Sequence, residues 1–209
     1  MRVLVVDYGM SNLGSIRRAL EECGGDVTIS QTPSALTDAS SVVLPGVGAF
    51  GDGARRLLGS GWREALHDSV GRGIPLLGIC LGMQLLATRG FEGEESEGLE
   101  IIPGEVRRMV PSTPGERLPH VGWNELRKTP EGEQSPLLAG IPDASDFYFV
   151  HSYHFAPASI SDTAARTPYC GGFTSVLARG RCFGVQFHPE KSGHYGFQLL
   201  RNFLSVGVE

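Results

Sequence analysis

The sequence predicts an α/β protein: a mixed, mostly parallel sheet flanked by helices, with antiparallel additions. Three observations point there. Short Val/Leu/Ile runs bounded by glycine recur through the first part of the chain, as expected of strands buried on both faces. Helix-like segments separate them, and a helical crossover is what joins parallel neighbours. Beyond Ile101 the texture changes to strands set apart by turn signals, the habit of antiparallel pairing.

Taken in order, Val3 to Val6 is a four-residue apolar run and reads as the first strand, followed by a helix from Asn12 to Glu22. Val27 to Ile29 and Ser41 to Leu44 are the next strands, and Ala54 to Val70 reads as one helix. Pro75 to Ile79 is a buried strand that runs directly into a helix from Leu81 to Thr88. Strands are then expected at Gly104 to Met109, Phe147 to Phe155, Phe173 to Ala178 and Cys182 to His188, before a last helix from about Tyr195 to Leu204. Gly90 to Gly98, Pro111 to Arg117 and Thr129 to Ser145 are polar and rich in Pro or Gly, and read as loops.

At 209 residues one domain spanning 1–209 is expected. With 41% apolar and 20% charged residues the chain is too hydrophobic for disorder, and its 29 glycines follow no collagen period. The net charge of −5, without a basic stripe, argues against nucleic acid or an anionic membrane as partner. The longest nearly apolar run, Pro75 to Ala87, is interrupted by glycines and Gln84 and falls short of the roughly 20 residues a membrane span needs. Met1 to Asp7 reads as a strand rather than a signal peptide, so a cytoplasmic location is expected. The four cysteines form no C-x-x-C pair; no metal site, disulfide framework or cofactor is expected.

Three segments carry chemistry. Gly46-Val47-Gly48-Ala49-Phe50-Gly51 fits G-x-G-x-x-G between a strand and a helix. It admits three readings: a dinucleotide fingerprint, a tight turn, or a cradle of backbone N–H groups for a developing negative charge. The first lacks its acidic partner, because the next strand ends at Cys80. Gly78-Ile79-Cys80-Leu81-Gly82 is a nucleophile elbow with sulfur in place of the serine oxygen, and the onset of a helix at Cys80 favours thiolate. Cys23, Cys170 and Cys182 read as small buried hydrophobes. His188-Pro189-Glu190 places a base and an orienting carboxylate at i and i+2, on the same side if the segment is extended. His151 and His154, three apart in a strand, would face opposite ways and make no metal pair.

Together, Pro45 to Gly48, Gly78 to Gln84 and Val185 to Glu190 resemble the class I glutamine amidotransferases. Asp7 to Leu13, His120 to Asn124, Phe147 to Tyr153 and Lys191 to Gly193 are similar to glutaminase subunits of imidazole glycerol phosphate synthases, enzymes of histidine biosynthesis. Ser11 and Val121 depart from the usual glycine and methionine. The resemblance implies a flavodoxin-like class I glutamine amidotransferase fold and a Cys80, His188, Glu190 triad acting on L-glutamine through a glutamyl thioester. It implies oxyanion donors at Leu81 and Val47, and substrate contacts at Gly48, Gln84, Ser152 and Tyr153. It further implies a heterodimer with a (βα)8-barrel cyclase subunit that receives the ammonia, with Asn12, Tyr148 and Lys191 near the interface.

Overall fold

A computed structural model describes residues 1–207. In chain order its elements are β1 (Arg2–Val6), α1 (Leu13–Glu22), β2 (Asp26–Ser30), β3 (Ser41–Gly46), α2 (Phe50–Leu58), α3 (Trp62–Gly71), β4 (Leu76–Cys80) and α4 (Leu81–Leu85). There follow β5 (Arg89–Glu92), β6 (Glu94–Glu97), β7 (Gly104–Arg108), β8 (His120–Lys128), α5 (Pro130–Glu133), β9 (Ser145–His151) and β10 (Tyr153–Pro157). The chain ends with β11 (Thr163–Thr167), β12 (Phe173–Arg179), β13 (Cys182–Val185) and α6 (Gly193–Val206).

The main sheet has the order β2-β1-β3-β4-β13-β12-β11-β8-β9. Its first five strands pair in parallel and the remainder antiparallel. Successive side chains of a strand point to opposite faces, and the apolar runs divide accordingly. Val3, Val5 and Val43 join Ile16 and Leu20 of α1 and Leu199 and Phe203 of α6 on one face. Leu4, Val6, Val42 and Leu44 join Phe50, Leu57, Trp62 and Leu81 from α2, α3 and α4 on the other. Every residue of β3 and β4 is buried, which is why these strands read as unbroken apolar runs. A second sheet, β10-β7-β5-β6, packs against α2, α4 and β12.

Several elements differ from the sequence reading. The helix expected over Ala54 to Val70 is two, broken at Gly59-Ser60-Gly61 where Gly61 takes φ +77°. The helix expected over Leu81 to Thr88 stops at Leu85. Gly90 to Gly98 is not a loop: it holds the β5–β6 hairpin turning at Gly93, its polar strands linked by the Arg89–Glu95 ion pair at 3.0 Å. Phe147 to Phe155 is two strands of different sheets, with Ser152 at the switch. Thr129 to Ser145 contains α5, and neither β8 nor β11 was expected as a strand.

Candidate active site

The C-terminal ends of β3, β4 and β13 lie side by side, with Gly46 paired to Cys80 and Val185 to Ile79. In open α/β sheets that edge is where sites form. Cys80 ends β4 with φ 53° and ψ −111°, a strained conformation for a residue with a side chain. The neighbouring glycines make the turn possible: a Cβ on Gly78 would sit 2.7 Å from the Gly82 carbonyl oxygen, and one on Gly46 would sit 2.1 Å from the Tyr8 hydroxyl. Helix α4 therefore starts pressed against the end of β3, with the thiol held at its N-terminus.

His188 and Cys80 line the same pocket of about 310 Å³, and Glu190 stands behind the imidazole. The His188 Nδ1–H donates to Glu190 Oε1 at 2.9 Å, both side chains being 5% exposed. A carboxylate only accepts, so Nδ1 carries the proton and Nε2 is the basic nitrogen. Nε2 makes no formed hydrogen bond, and the Cys80 sulfur is near enough to act on its charge. Burial opposes protonation of His188, yet the combined pull of Cys80 and Glu190 pushes its pKa up to about 9. One expectation needs correction: residues 189 to 191 form a single 3-10 turn, so the two side chains meet across that turn and not along an extended strand.

A second histidine, His151, also lines the pocket, but its nitrogens are committed. Nδ1 donates to the Tyr153 carbonyl at 2.8 Å, leaving Nε2 to accept from His120 Nδ1 at 3.2 Å. Burial pushes His151 down to about 3 and His120 to about 4, holding both neutral. His188 is thus the base the geometry offers.

Val47, Gly48, Leu81, Gln84, Ser152 and Tyr153 all line this pocket with Cys80 and His188. Leu81 N is the first amide of α4, without an intrahelical acceptor. The Val47 amide differs from expectation: it donates to the Met10 carbonyl at 2.8 Å, so it points at the loop after β1 instead of into the pocket. Gln84 Nε2 donates to the Tyr153 carbonyl at 2.9 Å and to Gln186 Oε1 at 3.0 Å. Gln186 went unassigned in the sequence, although it lies in the Val185 to Glu190 segment. The dinucleotide reading of Gly46 to Gly51 fails on charge: Glu92 Oε2 accepts from Phe50 N at 2.7 Å, setting a carboxylate where a phosphate would sit at the start of α2.

Asn12, Tyr148 and Lys191, the three residues expected near an interface, lie beside the segments that carry Val47 and His188. Asn12 is exposed two residues beyond the Met10 carbonyl that engages Val47. The Tyr148 carbonyl accepts from His188 N at 3.0 Å, while its amide donates to Ser192 Oγ, which itself donates to the His188 carbonyl. Lys191 N donates to the same carbonyl. A patch missed in the sequence adjoins them: Val121 pairs with Val150 and Trp123 with Tyr148 across β8 and β9, leaving Val121 and Trp123 each 57% exposed.

A mixed sheet with a cysteine elbow beside a His–Glu pair defines a class, and the comparisons agree. The class I glutamine amidotransferase family matches residues 4–206, so the chain belongs to that family. Imidazole glycerol phosphate synthase subunit HisH of Moorella thermoacetica is 44% identical, covering 96% of this chain and 93% of its own. The same subunit of Halobacterium salinarum is 46% identical over 97% and 92%. Within the amidotransferases, the chain is a member of this HisH family. Among solved structures, PurLQS of Thermotoga maritima superposes with TM-score 0.76 at 19% identity, covering 98% and 97% of the two chains. A glutamine amidotransferase of the same organism gives 0.71 at 20%, over 100% and 98%. At these identities the likeness concerns the fold alone.

Proposed function

We propose that this chain is the cytoplasmic glutaminase of an imidazole glycerol phosphate synthase, with Cys80, His188 and Glu190 as its catalytic triad. Glutamine hydrolysis in the service of that synthase, in histidine biosynthesis, is the activity of its family. The observation that carries the residue assignment is a strained cysteine at a helix N-terminus, sharing a pocket with a histidine whose other nitrogen is fixed by a buried carboxylate.

Glutamine enters beside Gly48, Gln84 and the Ser152–Tyr153 backbone. Cys80 Sγ attacks its side-chain amide carbon as the thiolate, the thiol proton having passed to His188 Nε2. His188 delivers that proton to the departing nitrogen, the carbon–nitrogen bond breaks, and ammonia leaves a glutamyl thioester. Water then gives a proton to His188 as it attacks the thioester. His188 returns the proton to sulfur, and glutamate leaves. Glu190 keeps the imidazole in the productive tautomer and stabilises its cation.

Both additions place negative charge on the former carbonyl oxygen, with Leu81 N as one donor. The second, Val47 N, becomes available when its bond to the Met10 carbonyl breaks and the peptide turns. An oxyanion donor of this kind is worth about 3 kcal/mol in the barrier. The partner is the cyclase subunit, a (βα)8 barrel in a heterodimer, docked over Asn12, Tyr148, Lys191 and the Val121–Trp123 patch. From there it presses on the loop that holds Val47 and on the backbone that holds His188. Contiguous apolar surface at a pocket mouth is the usual mark of such docking.

Cys80→Ala tests the assignment. Expected is loss of glutamine-dependent synthesis by the reconstituted pair, with synthesis from ammonium salts retained. Glutamine-dependent turnover by the variant would sink it.

A further inference from the structure

Gln186 is 0% exposed, and the reaction described above makes no use of it. A buried side-chain amide is costly unless its donors and acceptor are engaged, and here each contact forces the next. The Tyr153 peptide carbonyl can only accept, so Gln84 must turn its NH2 group there, at 2.9 Å. The second hydrogen of that group then meets Gln186 at 3.0 Å, which requires Gln186 to present Oε1. Gln186 Nε2 is left facing Cys80 Sγ, at 3.8 Å. Its main-chain amide, donating to the Ser175 carbonyl at 3.0 Å, anchors the residue just past the end of β13.

We propose that Gln186 is a positioning residue that keeps an N–H donor on the Cys80 sulfur and fixes Gln84 with its carbonyl oxygen toward the pocket. The inference rests on Cys80 being the nucleophile. An N–H···S contact is strongest when sulfur is negative. It therefore favours the attacking thiolate and the thiolate released from the thioester over the neutral thiol and the thioester itself. Gln186 moves no proton; the thiol proton still passes to His188. The orientation of Gln84 has a consequence for binding. Its free oxygen is an acceptor, suited to an ammonium or amide N–H of the substrate and unsuited to a carboxylate.

The ionisable groups around Cys80 are His188, backed by Glu190, after β13; Tyr8 after β1; and His151, Tyr153 and Glu92 on the pocket wall from β9, β10 and β5. All remain in the variants below. The test is the rate of alkylation by iodoacetamide in the full-length chain over about pH 4 to 9, with the labelled peptide mapped by mass spectrometry. In Gln186→Met the midpoint for Cys80 moves up by about one pH unit, and Gln186→Leu gives the same shift by a second apolar replacement. Gln84→Met, which removes the donor that orients Gln186, moves that midpoint up by a smaller amount and also raises KM for glutamine. An unchanged midpoint in folded Gln186→Met or Gln186→Leu, with or without a lower melting temperature, overturns the inference and leaves Gln186 a packing residue. Cys23 and Cys170 are more exposed than Cys80 and label toward the alkaline end; a Cys80 in the wild-type chain that labels no earlier in pH than they do overturns the nucleophile assignment itself.

Discussion

Alanine at Gly82 separates local preference from tertiary contact. Gly82 sits in α4, where alanine is locally better than glycine by about 1 kcal/mol. Its Cβ, however, would lie 1.7 Å from the Leu44 carbonyl oxygen and 2.7 Å from the Leu44 carbonyl carbon. These are backbone atoms of β3, a fully buried strand that cannot yield as a flexible side chain could. Ordinary contact begins at 3.4 Å, so α4 must draw back by about 1.7 Å. Overpacking of this kind costs about 1 to 3 kcal/mol, which cancels or exceeds the helix gain. The effect on rate is larger. Cys80 and Leu81 move with the start of α4, and displacement of about 1 Å at a reacting centre costs on the order of 10²-fold. The measurement pairs kcat/KM for glutamine, in the reconstituted complex, with the melting temperature. A fall of that order with modest loss of stability is expected. An active variant, within about threefold of the parent and melting higher as helix propensity alone would have it, would refute the close-contact reasoning.

Trp123→Ala removes the largest exposed side chain of the patch proposed to dock the cyclase. A central anchor of that type is worth about 2 kcal/mol or more, so the dissociation constant measured by calorimetry should rise roughly 30-fold. Cys80 alkylation in the isolated chain should not change. Equal affinity would move the interface elsewhere. Acid stability follows from the buried histidine pair. His120 and His151 titrate near 4 and 3 when folded, whereas unfolded histidine takes up its proton at about 6.5. Between those limits the unfolded chain binds more protons. Stability is therefore full above about pH 6.5 and is lost as pH falls through the folded values. His120→Asn should make urea-melt stability fall less steeply in that window, by up to about 1.4 kcal/mol per pH unit. An unchanged slope would show that His120 is already protonated in the fold.

The parallel half of the sheet was legible because β1, β3 and β4 are buried on both faces, and burial of that kind leaves one trace, an unbroken apolar run. Strands with other surroundings leave weaker traces. β6 is Glu-Glu-Ser-Glu and is held by ion pairs that its composition does not reveal. β8 carries Val121 and Trp123 on an exposed face, reversing the alternation that marks a half-buried strand. The break between α2 and α3 depends on Gly61 entering a left-handed conformation, an option glycine permits everywhere and uses in few places.

By itself the sequence determined the elbow, because a cysteine between two glycines at a strand-to-helix junction admits few backbone paths, and it determined the His–Glu neighbour pair, two residues apart. It also marked Gly46 to Gly51 as a place where backbone approaches something closely. Only the tertiary structure decided what approaches: the start of α4, the Tyr8 hydroxyl, and the carboxylate of Glu92 where the fingerprint suggested a phosphate. It also decided the direction of the Val47 amide, since that depends on the Met10 carbonyl far off in the chain. The donor that Gln186 offers to Cys80 was decided in the same way, by three side chains meeting one main-chain carbonyl. Local covalent restriction can be read along a chain. The orientation of a hydrogen-bonding group is fixed by its partners, and those come from segments that only folding brings together.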